Sequence, residues 1–188
     1  MAEDASPLNP PLAGLEMDRK ADEPCTIVIF GASGDLTARK LIPALFHLYE
    51  EGQMPESFRV VGFARREKTD AGWRAEMREG LERYSRTKTV DDAQWEQFAA
   101  NLTYHQGDLT DAEAYADLAA RLKEYGDERL ANNLVFYLAI SPSLFWGGRG
   151  STARSYALAA VGGRRFLLAA GGGGETVRAR FAECPRAE

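Results

Sequence analysis

Thr26-Ile27-Val28-Ile29-Phe30-Gly31-Ala32-Ser33-Gly34-Asp35-Leu36-Thr37 joins a strand pattern to a helix pattern through two glycines. Thr26 to Phe30 is a continuous β-branched and aromatic run, which suits a buried parallel strand. Asp35 to Tyr49 then carries Leu36, Leu41, Leu45 and Leu48 at helical spacing, with Gly52 beyond as a stop. Pro43 falls inside that segment and predicts a kink, because its ring excludes one helical hydrogen bond. Gly31 can make a sharp exit from the strand, and Gly34 lets the backbone approach a ligand closely. The amides that open the helix, with their partial positive charge, suit a pyrophosphate, and Ser33 adds a hydroxyl donor. Ser33 and Leu36 stand where G-x-G-x-x-G would place its second and third glycines, so a tight turn capped by Ser33 or Asp35 is the alternative reading. A P-loop is excluded, since no Gly-Lys-Ser/Thr follows.

Outward from this segment, Phe58 to Ala64, Leu102 to Gln106 and Asn133 to Ala139 read as further strands. Asp70 to Tyr84, Asp91 to Ala100 and Asp111 to Tyr125 read as helices, with Asp70 and Asp91 as caps of the first two. Strands alternating with helices predict an α/β fold, a Rossmann-like, doubly wound and mainly parallel sheet. Ligands of such sheets lie beyond the carboxyl ends of the strands, here Gly31 onward, Ala64-Arg65-Arg66, Gly107-Asp108 and Ile140-Ser141-Pro142. An acidic residue near the end of the second strand would suit NAD. Arg65 in that place suits the 2′-phosphate of NADP, unless Arg65 and Arg66 are simply solvated loop residues.

Ile29-Phe30-Gly31-Ala32-Ser33-Gly34-Asp35-Leu36-Thr37, followed by Arg39-Lys40-Leu41-Ile42-Pro43-Ala44-Leu45, resembles the amino-terminal signature of the glucose-6-phosphate dehydrogenase family. Val61-Gly62-Phe63-Ala64-Arg65, Gly107-Asp108-Leu109 with Tyr115, and Phe136-Tyr137-Leu138-Ala139 with Pro142 follow in the family's order and spacing. The resemblance covers residues 9–145. It implies a coenzyme domain for NADP in which Gly31, Ala32, Ser33, Gly34, Asp35, Leu36 and Thr37 hold the pyrophosphate and Arg65 faces the 2′-phosphate. Asp108 and the turn from Ala139 to Pro142 would line the coenzyme groove, and Lys40 matches the motif lysine near the nicotinamide and the sugar. On the residues alone, Lys40 is equally an exposed helix lysine, and Asp108 and Ala139 to Pro142 ordinary strand-end turns.

The activity that the resemblance implies is NADP-dependent oxidation of glucose 6-phosphate to the 6-phosphogluconolactone, the first step of the pentose phosphate pathway. Ser141-Pro142 stands for the family's frequent Pro-Pro. The Glu-Lys-Pro-Phe-Gly and Arg-Ile-Asp-His-Tyr segments that the family places later do not occur in these 188 residues. No catalytic residue is therefore expected, and His47 and His105 read as structural. The expected fold is an incomplete sheet without the family's second α+β domain, binding NADP weakly and turning over little or no sugar alone.

Composition bounds the remaining possibilities. The chain is 45% hydrophobic and 27% charged, with a net charge of −5, which argues for one ordered domain and gives no reason to expect nucleic acid or anionic lipid as partner. Two cysteines supply no disulfide framework, no metal-ligand cluster stands out, and no apolar run approaches the ~20 residues of a membrane span. The acidic, proline-rich start lacks the pattern of a secretory signal, which points to the cytoplasm. The segment 1–24 reads as an extended arm and 25–145 as the nucleotide-binding domain. From 146 the chain turns rich in glycine, alanine and arginine, so 146–188 reads as a tail, partly disordered or adding one strand and one helix, with Arg164 to Leu168 as the strand. That tail is basic and could serve as a partner-binding arm; equally, it reads as a terminus outside the original coding frame. Loss of the family's second domain would leave sheet surface uncovered and promote self-association.

Two rival classes fit parts of the pattern. A short-chain-dehydrogenase-like protein needs Tyr-x-x-x-Lys late in the sheet, and Tyr84-Ser85-Arg86-Thr87-Lys88 has the spacing but precedes the third strand. A non-catalytic nucleotide-binding interaction module would use the basic tail to recruit its partner.

Overall fold

The computed structural model describes residues 23–84, 90–140, 165–170 and 180–182. Six strands form one sheet: β1 (Cys25–Phe30), β2 (Phe58–Ala64), β3 (Leu102–Gln106), β4 (Asn133–Leu138), β5 (Arg165–Ala170) and β6 (Arg180–Ala182). Their order is β3-β2-β1-β4-β5-β6, parallel throughout except that β6 runs antiparallel to β5. The order reverses between β1 and β4, which opens a crevice at the carboxyl ends of these neighbours. β5 takes up the strand pattern at Arg164 to Leu168. The three residues of β6 carry too little pattern to be read from sequence. The arm before residue 23 and most of the tail lie outside the described residues.

Among the described residues five α-helices accompany the strands: α1 (Ile42–Glu50), α2 (Asp70–Tyr84), α3 (Asp92–Ala99), α4 (Ala112–Glu124) and α5 (Glu128–Asn132). Alternation along β1 sorts its side chains onto two faces. Ile29 joins Ile42, Phe46, Trp73, Met77, Leu81, Trp95 and Phe98 in the layer made by α1, α2 and α3. Val28 and Phe30 join Val61, Phe63, Tyr115, Leu118, Leu122, Leu134 and Phe136 in the layer under α4. At about 25 cal/mol per Å² of apolar surface removed from water, these two layers are the main stabilising term of the fold.

The expected kink takes a specific form. Thr37–Leu41 winds as a π-helical turn in which the Ile42 amide donates to the Thr37 carbonyl, and Pro43 falls in the first turn of α1. Pro43 has no amide for the Arg39 carbonyl four residues back, and its ring would crowd that carbonyl; widening the preceding turn removes the conflict. Capping at α2 also differs from expectation. Thr69 Oγ1 accepts the Gly72 amide at 3.0 Å, whereas Asp70 accepts the Tyr104 amide at 2.6 Å. Asp70 is thus drawn to the outer edge of the sheet, where β3 would otherwise show an unpaired donor. Asp91 caps α3 as expected, accepting from the Gln94 amide at 2.8 Å.

Candidate functional site

The β1-to-helix turn is held by its backbone. Gly31 has φ +85°, and a Cβ built on it would lie 2.4 Å from the Ala139 carbonyl oxygen, so this position requires glycine on both counts. The Gly31 and Ala32 amides donate to the Phe63 carbonyl at 2.9 and 3.2 Å, and the Gly34 amide donates to the Gly31 carbonyl at 2.9 Å. Thr37 is fully buried and donates its hydroxyl back to the Gly31 carbonyl at 3.3 Å. Ala32 is also buried, and its carbonyl accepts the Trp73 indole N–H at 3.0 Å. Trp73 reaches it because Gly62 has no side chain: a Cβ there would meet the indole at 2.6 Å.

Leu36, which precedes the π-helical turn, makes no side-chain cap bond. The Asp35 carboxylate is turned away to Arg39 at 2.9 Å, and Ser33 donates to no acceptor among the described residues. A turn capped by Ser33 or Asp35 is therefore not what forms. The amides of Gly31, Ala32 and Gly34 are spent on the Phe63 and Gly31 carbonyls, so an anion would rest on the amides that open the helix at Asp35 to Thr37, which lack intrahelical partners. Leu36 is half-buried behind the turn, and Lys40 is exposed on the π-helical turn.

The other strand ends converge on the same rim. Ala139 follows β4, and its amide donates to the Phe30 carbonyl at 2.8 Å, which sets the β4 exit against Gly31. Arg65 is exposed just past β2, and Asp108 lies two residues past β3. The Thr110 amide and hydroxyl both donate to Asp108 Oδ1 at 2.8 Å, which holds this carboxyl below its usual range; burial opposes slightly, and the nearby Arg65 charge adds to the lowering. Arg65 and Asp108 are thus electrostatic neighbours across the ends of β2 and β3. Pro142 lies outside the described residues.

Both histidines sit apart from these groups. His47 is an exposed partner of Glu51 at 3.1 Å. His105 stacks on Phe63 with its Nε2 buried and unbonded among the described residues; burial first, and then the Arg121 charge, lowers its pKa below the usual value. Sequence reading missed Trp73, Tyr104 and Gln106, which tie the rim together. Their partners are carbonyls tens of residues away, a relation that no local spacing signals. Tyr84, the first residue of the Tyr-x-x-x-Lys spacing, ends α2 under the Arg39 guanidinium at 4.8 Å.

A doubly wound sheet with a glycine turn at its point of strand reversal defines the class of nucleotide-binding α/β domains. Residues 28–157 match the family described as "Glucose-6-phosphate dehydrogenase, NAD binding domain". The chain is 43% identical over 126 residues to the glucose-6-phosphate 1-dehydrogenase of Chlamydia muridarum, covering 65% of this chain and 24% of that protein. It is 40% identical over 126 residues to the chloroplastic enzyme of Nicotiana tabacum, covering 67% of this chain and 21% of that one. Among solved structures it resembles the glucose-6-phosphate 1-dehydrogenase of Mycobacterium avium (TM-score 0.63, 26% identity, covering 77% of this chain and 29% of that one). It also resembles a glucose-6-phosphate dehydrogenase in complex with its substrate glucose-6-phosphate (TM-score 0.60, 28% identity, covering 79% and 30%). This chain belongs to the glucose-6-phosphate dehydrogenase family. It spans about a quarter of the length of the curated relatives it matches, 24% of the first. Family membership sets aside the short-chain-dehydrogenase and interaction-module readings. Among the described residues no helix is long and apolar enough to cross a membrane.

Proposed function

We propose that residues 25–145 bind NADP in the crevice at the carboxyl ends of β1, β2 and β4, as the coenzyme-binding part of a cytoplasmic enzyme that oxidises glucose 6-phosphate in the pentose phosphate pathway. The single observation that carries this reading is the glycine turn and helix start at Gly31 to Thr37, placed where the strand order reverses. Gly31, Ala32, Ser33, Gly34, Asp35, Leu36 and Thr37 form the pyrophosphate turn. The main-chain amides of Asp35 to Thr37 and the Ser33 hydroxyl donate to the phosphates, while Gly31, Gly34, Thr37 and Ala32 fix the turn through backbone and buried bonds. Asp108 and Ala139 line the groove, Pro142 is assigned to it by resemblance alone, and Lys40 reaches toward the nicotinamide and the sugar phosphate.

Arg65 selects NADP. A guanidinium suits the 2′-phosphate, and an NAD site would put a carboxylate there to accept from the ribose hydroxyls. When bound, the coenzyme supplies the hydride acceptor; this chain's residues bind it and fix its orientation. Neither histidine is placed to act as the general base: His105 stacks behind Phe63, where burial weakens it as a proton acceptor, and His47 lies out on α1. Titration calorimetry with NADP⁺ and NAD⁺ tests this. We expect tighter binding of NADP⁺, and Arg65→Ala to weaken NADP⁺ about tenfold or more while sparing NAD⁺, from the loss of one charge-assisted phosphate contact. Equal affinities that Arg65→Ala leaves unchanged would contradict it.

A further inference from the structure

The Arg65 loop is fastened along its backbone. The Gly107 amide donates to the Ala64 carbonyl at 3.0 Å. The Tyr104 hydroxyl donates to the Arg66 carbonyl at 2.5 Å, with the Ala64 carbonyl as a second acceptor at 3.3 Å. Gln106 Nε2 donates to the Arg65 carbonyl at 3.2 Å. Three successive carbonyls, at Ala64, Arg65 and Arg66, are thus each taken by a donor from β3 or the turn after it. Meanwhile the Arg65 side chain stays exposed.

Tyr104 is itself fixed. The residue is 3% exposed, and its ring packs against the Trp73 indole at 5.7 Å. Its amide donates to Asp70 at 2.6 Å, and its carbonyl accepts from Arg121 at 2.8 Å. Trp73 in turn bonds the Ala32 carbonyl at 3.0 Å, so one run of packed aromatics joins the phosphate turn to the Arg65 loop.

We propose that Tyr104 and Gln106 are positioning residues for coenzyme selection: they hold the Ala64–Arg66 backbone so that the Arg65 guanidinium is presented to the 2′-phosphate of NADP. The proposal rests on Arg65 being the 2′-phosphate ligand. A solvated loop arginine need not have its backbone pinned at three consecutive carbonyls. A phosphate-binding one gains from it, because ordering the loop in advance removes that cost from the binding step. Neither side chain needs to touch the coenzyme, so both act through Arg65.

The test is a double-mutant cycle on the full 188-residue chain, with calorimetric titration of NADP⁺ and NAD⁺ into wild type, Tyr104→Phe, Gln106→Ala, Arg65→Ala and Tyr104→Phe/Arg65→Ala. Removing the Tyr104 hydroxyl is expected to weaken NADP⁺ about fivefold, the worth of one net hydrogen bond. NAD⁺ should change less than about twofold, and in the Arg65→Ala background the Tyr104 change should add nothing. Gln106→Ala should show the same selectivity at about two- to threefold. Equal losses for both coenzymes, or an undiminished Tyr104 effect without Arg65, would overturn the proposal. If Arg65→Ala is selective for NADP⁺ and the β3 variants are not, the positioning role alone fails. If Arg65→Ala is not selective, or wild type binds neither coenzyme, the underlying reading fails and takes the proposal with it. Gln106 is exposed, so its variant decides the matter should Tyr104→Phe not fold.

Discussion

Gly31→Ala places a methyl group 2.4 Å from the Ala139 carbonyl on a backbone at φ +85°. Strain and steric conflict act together there. We expect a loss of about 2–4 kcal/mol, measurable as a lowered midpoint in urea denaturation, with binding of NADP⁺ lost as well. Gly52→Ala is the control: φ is +67° but no atom lies within 4 Å, so only the conformational cost of about 1 kcal/mol remains. His105 gives a pH prediction at the same scale. Burial and Arg121 lower its folded pKa, while the Asp117 charge and the Ala114 backbone bond pull weakly the other way. The unfolded chain therefore binds the extra proton first. Stability should fall as pH drops through about 6.5, the unfolded value, and level off below the folded pKa. Denaturation across that range should show this slope in wild type and not in His105→Phe. Asp108 acts in a lower window, since its contribution is present above about pH 4 and is lost as pH falls through its depressed folded pKa. Gly31 and Gly34 were legible in the sequence because glycine's freedom is a local property. Tyr104 and Trp73 were not, because their roles depend on partners 38 to 41 residues away.

At the scale of elements, β3 is an outer strand, and side chains close its open edge. Arg74 donates twice to the Leu102 carbonyl at 2.8 and 2.6 Å, Asp70 accepts the Tyr104 amide, and Arg121 donates to the Tyr104 carbonyl. An open edge invites strand addition from another chain. The self-association expected from uncovered sheet surface would have to use a different surface. Arg74→Ala with Arg121→Ala should lower stability by roughly 2–3 kcal/mol, the sum of two lost charge-assisted bonds. It should also produce concentration-dependent oligomers in light scattering; a monomeric, undiminished double variant would show that the edge needs no closing. The strands and main helices were legible because their apolar spacing repeats over many residues. Thr69 rather than Asp70 caps α2 because the β3 edge outcompetes the local cap for that carboxylate, a contest invisible in one dimension. Pro43 announced a kink, but the π form follows from the geometry of the Thr37 carbonyl.

Across the whole molecule, the described residues bring the candidate coenzyme-binding groups together. The turn, Arg65, Asp108 and Ala139 gather at one end of the sheet, which the alternation of strands and helices made legible. The family's sugar-binding and proton-abstracting segments do not occur in the 188 residues. Holding a sugar phosphate against a nicotinamide is worth several kcal/mol of barrier. We therefore expect the purified chain, given glucose 6-phosphate and NADP⁺, to form no NADPH above background while still binding the coenzyme; steady NADPH formation would show that these residues suffice for catalysis.

Amide chemical shifts of the labelled 188-residue chain, followed through a titration with NADP⁺ and then with NAD⁺, report the crevice residue by residue. We expect both coenzymes to move the amides of Gly31 to Thr37 and of Ala139, and NADP⁺ alone to move those of Ala64 to Arg66. Shifts that leave Gly31 to Thr37 in place, or that gather at another part of the sheet, would contradict it.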